Sequence, residues 1–131
     1  MKQRIIRNEK NIKFLNSLIT NGFYKGYIGQ EKFELIPNHF INNYRIIGVL
    51  NENNAYELEF DYNSPMNIAS KLAIIVIVIA SIIFLANKIW IFPVLFSVFG
   101  LILFINFNLK RTKELNILTD KFLEFHKSEN Q

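Results

Sequence analysis

Between Lys71 and Lys110 the only charged residue is Lys88, which divides an otherwise uncharged stretch into runs of sixteen and twenty-one residues. A small soluble core has no use for two such runs back to back, whereas a hydrocarbon layer about 30 Å thick takes about 20 helical residues per crossing. The pattern predicts an antiparallel transmembrane helical hairpin over 67–109. The first run makes about 24 Å of helix, and Lys71 and Lys88 extend its reach by laying their aliphatic stems along lipid. The second opens with Trp90, suited to the membrane interface, and has Pro93 in its first turns, where a missing amide costs little.

A connection this short forces the two helices to run antiparallel and puts both termini on one side. Lys71 precedes the first run and Lys110, Arg111 and Lys113 follow the second, against Lys88 alone in the turn, so the bias of basic residues predicts cytoplasmic termini. Small residues bring helices together in lipid, and Ala69, Ala73 and Ala80 are expected to face Ser97 and Gly100. In such a hairpin, residues at equal depth have numbers summing to about 175. That sets Asn106 level with Ala69 and Ser70, where its amide is expected to bond the Ser70 hydroxyl or a free carbonyl of that helix's first turn and so fix the register. Neither run carries an ionisable residue, so no proton relay or ion path is predicted through the pair.

The flanks read as ordinary polar protein. Ile5, Ile12, Phe14, Leu15, Leu18 and Ile19 recur at helical spacing and predict an N-terminal amphipathic helix that stops at Asn21-Gly22. Its Arg4, Arg7, Lys10 and Lys13 would suit a membrane surface, but such apolar stripes more often pack on a neighbouring sheet. Four strand patterns follow, at 23–29, 32–37, 44–51 and 55–62, with turns at Gly29-Gln30-Glu31 and Asn51-Glu52-Asn53-Asn54. They predict a four-stranded antiparallel β-meander. In the last strand Tyr56, Leu58, Phe60 and Tyr62 alternate with Glu57, Glu59 and Asp61, the signature of a sheet with one packed and one wet face. The segment from Pro37 to Asn43 is the longest loop and the expected place for a binding function. Ser64 or Asn67 is expected to cap the first membrane helix. Leu115, Leu118, Phe122 and Phe125 predict a C-terminal amphipathic helix continuing the second span.

The predicted architecture is therefore a membrane α+β protein: a cytosolic N-terminal helix and β-module over 1–66, the hairpin over 67–109, and a cytosolic helix over 110–131. The N-terminal residues are basic but lead into no apolar stretch, so no secretory signal peptide is predicted there and the first span is expected to act as the membrane signal. Frequent Asn, Ile, Lys and Phe match the bias of a low-GC bacterial genome, which points to the bacterial inner membrane.

Chemistry is harder to find. The chain has no cysteine, which excludes disulfides, thiolate catalysis and cysteine metal sites. His39 and His126 lack any paired-ligand spacing, so no metal is expected. Glu57, Glu59 and Asp61 have a spacing that could chelate a hard cation, but a solvated strand face neutralised by Lys25 and Arg45 is the commoner cause. The glycines form no phosphate loop and no serine has a nucleophile-elbow context. Nucleic acid is not an expected partner, because no basic cluster is interleaved with aromatics.

Tyr24-Lys25-Gly26-Tyr27-Ile28, Phe33-Glu34-Leu35 and Ile46-Ile47-Gly48-Val49-Leu50, followed by two apolar spans, resemble a group of small uncharacterised bacterial membrane proteins. In that group aromatic-x-Gly-x-Ile, Phe-x-Ile and Gly-x-Ile strands precede a helical hairpin. The resemblance covers about residues 22–108 and implies architecture without a chemical activity. Gly26 and Gly48, inside strands, independently predict close approach of another group, such as an aromatic side chain from a terminal helix.

These readings predict a non-enzymatic inner-membrane protein whose cytosolic β-module binds a protein partner or lipid headgroups, in a bilayer and with a second copy as a further candidate partner. The alternatives are an accessory subunit of a membrane enzyme or transporter, or a membrane immunity protein. No cofactor, metal or catalytic residue is expected.

Overall fold

The computed structural model describes residues 3–38 and 43–128. Its elements are β1 (Arg4–Ile6), α1 (Glu9–Thr20), β2 (Tyr24–Ile28), β3 (Lys32–Pro37), β4 (Tyr44–Leu50), β5 (Ala55–Tyr62), α2 (Met66–Ala86) and α3 (Ile91–Ser128). The chain divides after Asn67 into two compact units.

In the first unit, β2 to β5 form the expected antiparallel meander. The sheet has a fifth strand that the sequence pattern hides, however, and its order is β1-β5-β4-β3-β2. The N-terminal helix is correspondingly shorter than expected. Ile5 belongs to β1, where it pairs with Tyr56 and is buried. Asn8 ends the strand in extended conformation and caps α1, its Oδ1 accepting the Asn11 N–H at 2.7 Å. Asn11 is itself buried and donates its Nδ2 to the Ile6 carbonyl at 2.7 Å. A three-residue strand is too short to show alternation, and Ile5 happens to fall in phase with the helical stripe.

The helix ends where Asn21-Gly22 indicates. Gly22 takes φ +73°. Its N–H donates to the Ile19 carbonyl at 3.0 Å and that of Phe23 to Leu18 at 3.1 Å, a Schellman closure that a left-handed glycine permits. The apolar stripe of α1 buries Phe14, Leu15 and Leu18 and lies beside β2, so the helix packs on the sheet.

Strand register sorts the sheet into two faces. Phe33, Gly48 and Leu58 lie in one row and Leu35, Ile46 and Phe60 in the next, all of them buried. Each large apolar side chain removed from water in this way contributes about 1.5–3 kcal/mol to the fold before entropy is counted. The expected turns form as well. Gly29 N–H donates to the Lys32 carbonyl at 2.8 Å, closing the first. In the second, Asn51 Oδ1 accepts the N–H groups of Asn53 and Ala55, each at 3.0 Å, while Asn54 adopts φ +54°. Pro37 is the last residue of β3 and pairs with Tyr24.

Gly48 has a different neighbour from the expected one. The Phe33 ring, from the adjacent strand and not from a terminal helix, occupies the space a Cβ would need. With that ring lying over β4, its edge meets Tyr56 of β5 at a centroid distance of 5.0 Å. The Tyr56 hydroxyl then donates to the carbonyls of Gly29 and Gln30, at 3.1 and 3.3 Å, in the turn between β2 and β3. Gly26, at φ +142°, is also constrained by backbone: a Cβ there would collide with the Glu34 peptide group.

In the second unit, α2 and α3 are both long and apolar enough to cross a membrane. Lys88 takes the left-handed position between them at φ +58°. Its N–H donates to Leu85 and that of Ile89 to Phe84, the closure used at the end of α1 with a lysine where glycine stood. Beyond the turn α3 runs unbroken for 38 residues, about 57 Å, so the C-terminal amphipathic segment continues the second span as expected.

Candidate functional site

Two surfaces have the character of functional sites. The first is the apolar hairpin. Ile74, Val76, Ile82, Leu101, Phe104 and Leu109 are each more than 60% exposed, on segments where bare apolar surface in water would be strongly unfavourable. The helices meet near the turn through Phe84, whose ring stacks on Phe92 at 4.6 Å and lies 6.3 Å from Phe96. Bulky aromatics therefore replace the expected seam of small residues. Of that seam only Ala80 is half-buried; Ala69, Ala73, Ser97 and Gly100 are exposed, and a Cβ on Gly100 would meet nothing within 4 Å. The Ser97 hydroxyl instead bonds back to the Pro93 carbonyl at 2.9 Å. Asn106 is also exposed, while Phe107 and Asn108 beside it are half-buried. Among the described residues the Asn106 amide makes no hydrogen bond, so the expected contact with Ser70 or with the first-turn carbonyls of α2 is not formed.

The second surface is the wet face of the sheet. Glu57, Glu59 and Asp61 point to it together, as their alternation requires, but they act as separate partners. Arg4 on β1 meets Glu57 at 3.0 Å, and Asn51 Nδ2 approaches the same carboxylate at 3.4 Å. Arg45 bridges Glu34 at 3.2 Å and Asp61 at 3.5 Å, from a side chain only 19% exposed. Asp61 also accepts from Asn67 Nδ2 and from the Tyr62 N–H, tying the end of β5 to the first turn of α2. Asn67 thus braces the strand, and its own N–H donates to the Asn63 carbonyl at 3.1 Å.

Arg45 neutralises the acidic face as expected. Lys25 does not, because it sits across from Ile36 at the far side of the sheet. Arg4 supplies the cation that the sequence assigned to a helix. Glu59 is exposed, and no group of three His, Asp or Glu side chains able to hold a metal occurs among the described residues. Tyr27 and Val49 are exposed on this same face, 52% and 43%, so it mixes ion pairs with apolar surface.

On the packed face, at the end of the sheet where β5 leaves for α2, Tyr44 stacks on Phe60 at 5.2 Å and on Tyr62 at 5.3 Å. Burial, with a smaller contribution from Tyr44, pushes the Tyr62 phenol above its ordinary value of 10.0. His126 bonds the Phe122 carbonyl through Nδ1 at 3.0 Å and packs on the Phe122 ring, which gives it a structural role within its own helix. His39 and the loop residues 39–42 singled out from sequence lie outside the described residues.

Compared with family models, curated proteins and solved structures, the chain gives no match.

Proposed function

We propose that this chain is a non-enzymatic, two-span protein of the bacterial inner membrane that holds a small β-module at the cytoplasmic surface as a docking platform for a protein partner. The observation that carries this reading is the hairpin: two consecutive helices most of whose apolar side chains remain exposed through 72–109, with basic residues concentrated at one end. Support for a protein partner comes from the wet sheet face. It sets Tyr27 and Val49 among the Arg4–Glu57 and Arg45–Glu34 pairs, the mixture of apolar anchor and polar rim that protein interfaces use. Its ion pairs cancel locally, which favours specificity over bulk attraction.

The test is a pair of full-length fusions, carrying at either end a reporter active only in the cytoplasm or only in the periplasm. Cytoplasmic activity at both ends is expected, and a periplasmic signal from either end contradicts the anchor. Replacing Tyr27 and Val49 by serine is then expected to release the partner without releasing the protein from the membrane.

A further inference from the structure

Basic residues behave differently in the two units. In the sheet, Arg4 and Arg45 are matched by carboxylates. In the helices, Lys71, Lys110, Arg111 and Lys113 make no ion pair among the described residues. The chain has no Asp or Glu between Asp61 and Glu114, so these cations have no acid nearby in sequence except Glu114. Glu114 is buried.

Their distances from the turn are informative. Lys71 lies seventeen residues before Lys88, about 26 Å of helix, and Lys110 lies twenty-two residues after it, about 33 Å. Arg111 and Lys113 follow within the next turn. These depths straddle the boundary of a hydrocarbon layer about 30 Å thick, the level at which lipid phosphates begin.

We propose that Lys71, Lys110, Arg111 and Lys113, at the end of the hairpin away from the turn, form a binding surface for the headgroups of anionic phospholipids. The proposal rests on the membrane-anchor reading given above. Charge complementarity selects the ligand: four cations that make no ion pair among the described residues meet a leaflet whose anionic lipids carry the opposite charge. The Arg111 guanidinium can hold a phosphate through two parallel N–H donors, and the lysines supply compact charge on flexible stems. A free phosphate ion would lack the acyl chains that the neighbouring apolar surface, Leu109 at 66% exposure included, is suited to cover.

The experiment uses the full chain reconstituted in nanodiscs of equal parts phosphatidylglycerol and phosphatidylcholine, then released and analysed by native mass spectrometry for the lipids it retains. Preferential retention of phosphatidylglycerol is expected. It should fall about fivefold for each cation removed in Lys110→Gln, Arg111→Gln and Lys113→Gln, and persist in the charge-conserving Lys110→Arg. Lys88→Gln, at the other end of the hairpin, should leave it unchanged. Equal retention of the two lipids, an equal loss in Lys88→Gln, or displacement by millimolar inorganic phosphate would each overturn the proposal. Each variant is also tested for resistance to alkaline extraction from membranes. A chain that extracts fails as an anchor altogether, whereas one that resists extraction without preferring phosphatidylglycerol refutes the lipid surface alone.

Discussion

Phe33 lies over Gly48 so closely that a Cβ on the glycine would come within 2.6 Å of the ring's Cδ1. The missing side chain is thus a condition of the core: it lets an aromatic from β3 cross β4, meet Tyr56 on β5 and hold the phenol against the first hairpin turn. Gly48→Ala should force the ring aside and lower stability by about 1–3 kcal/mol, as overpacking does elsewhere. Denaturation of the detergent-solubilised chain, followed by near-ultraviolet circular dichroism, measures it. Adding Phe33→Leu should restore part of the loss, and an unchanged midpoint in the single variant would refute the packing argument.

The Asn8 cap separates β1 from α1. Asn8→Ala leaves the Asn11 N–H without its acceptor and should cost about 1 kcal/mol, whereas Asn8→Asp should retain most of the stability. Equal losses in the two variants would show that the cap is not what sets this boundary.

The same boundary shows what the sequence could and could not reveal. Turn residues delimit β2 to β5 so well that the predicted strands match the observed ones to within a residue at each end, because Gly29 and Asn51 to Asn54 impose their own hydrogen bonding. β1 has no such punctuation and only Ile5 to bury, so it merges with the helical stripe. The acidic face was legible from alternation alone, and Arg45 with it, since both lie on well-delimited strands. Its second cation was not, because Arg4 becomes a partner of Glu57 only when β1 pairs with β5. Gly48 announced a close neighbour without naming Phe33, which depends on cross-strand register. In the hairpin, lengths and charges were readable, but the facing residues were not. Depth arithmetic ignores the rotation of each helix, and that rotation presents Phe84, Phe92 and Phe96 near the turn and leaves Gly100 and Asn106 exposed.

Arg45 holds two carboxylates at once. Arg45→Gln should destabilise the sheet by about 1 kcal/mol, near the upper range for ion pairs with residual exposure, and the loss should shrink at high salt. Measured against Glu34→Gln in a double-mutant cycle, the two changes should be less than additive. Full additivity would mean that the pair contributes nothing.

Tyr62 gives the module an alkaline signature. Its phenol is raised above 10.0 by burial and by Tyr44, so the folded chain favours the protonated form. The stability this contributes is complete below pH 10 and is lost as pH rises from there through the raised folded value. Ultraviolet difference titration should show a tyrosine ionising above pH 10, and Tyr62→Phe should remove that late step. A late step that persists in the variant would reassign the raised phenol to another tyrosine.

The central claim is that α2 and α3 cross the membrane together and leave the β-module on the inside. The absence of cysteine makes a direct measurement simple, since single cysteines can be introduced at Lys88 and at Tyr27 and challenged in intact cells with a membrane-impermeant maleimide. Lys88→Cys should react at once from outside, and Tyr27→Cys only after the membrane is permeabilised. Labelling of Tyr27→Cys in intact cells, or protection of Lys88→Cys until permeabilisation, would contradict the account.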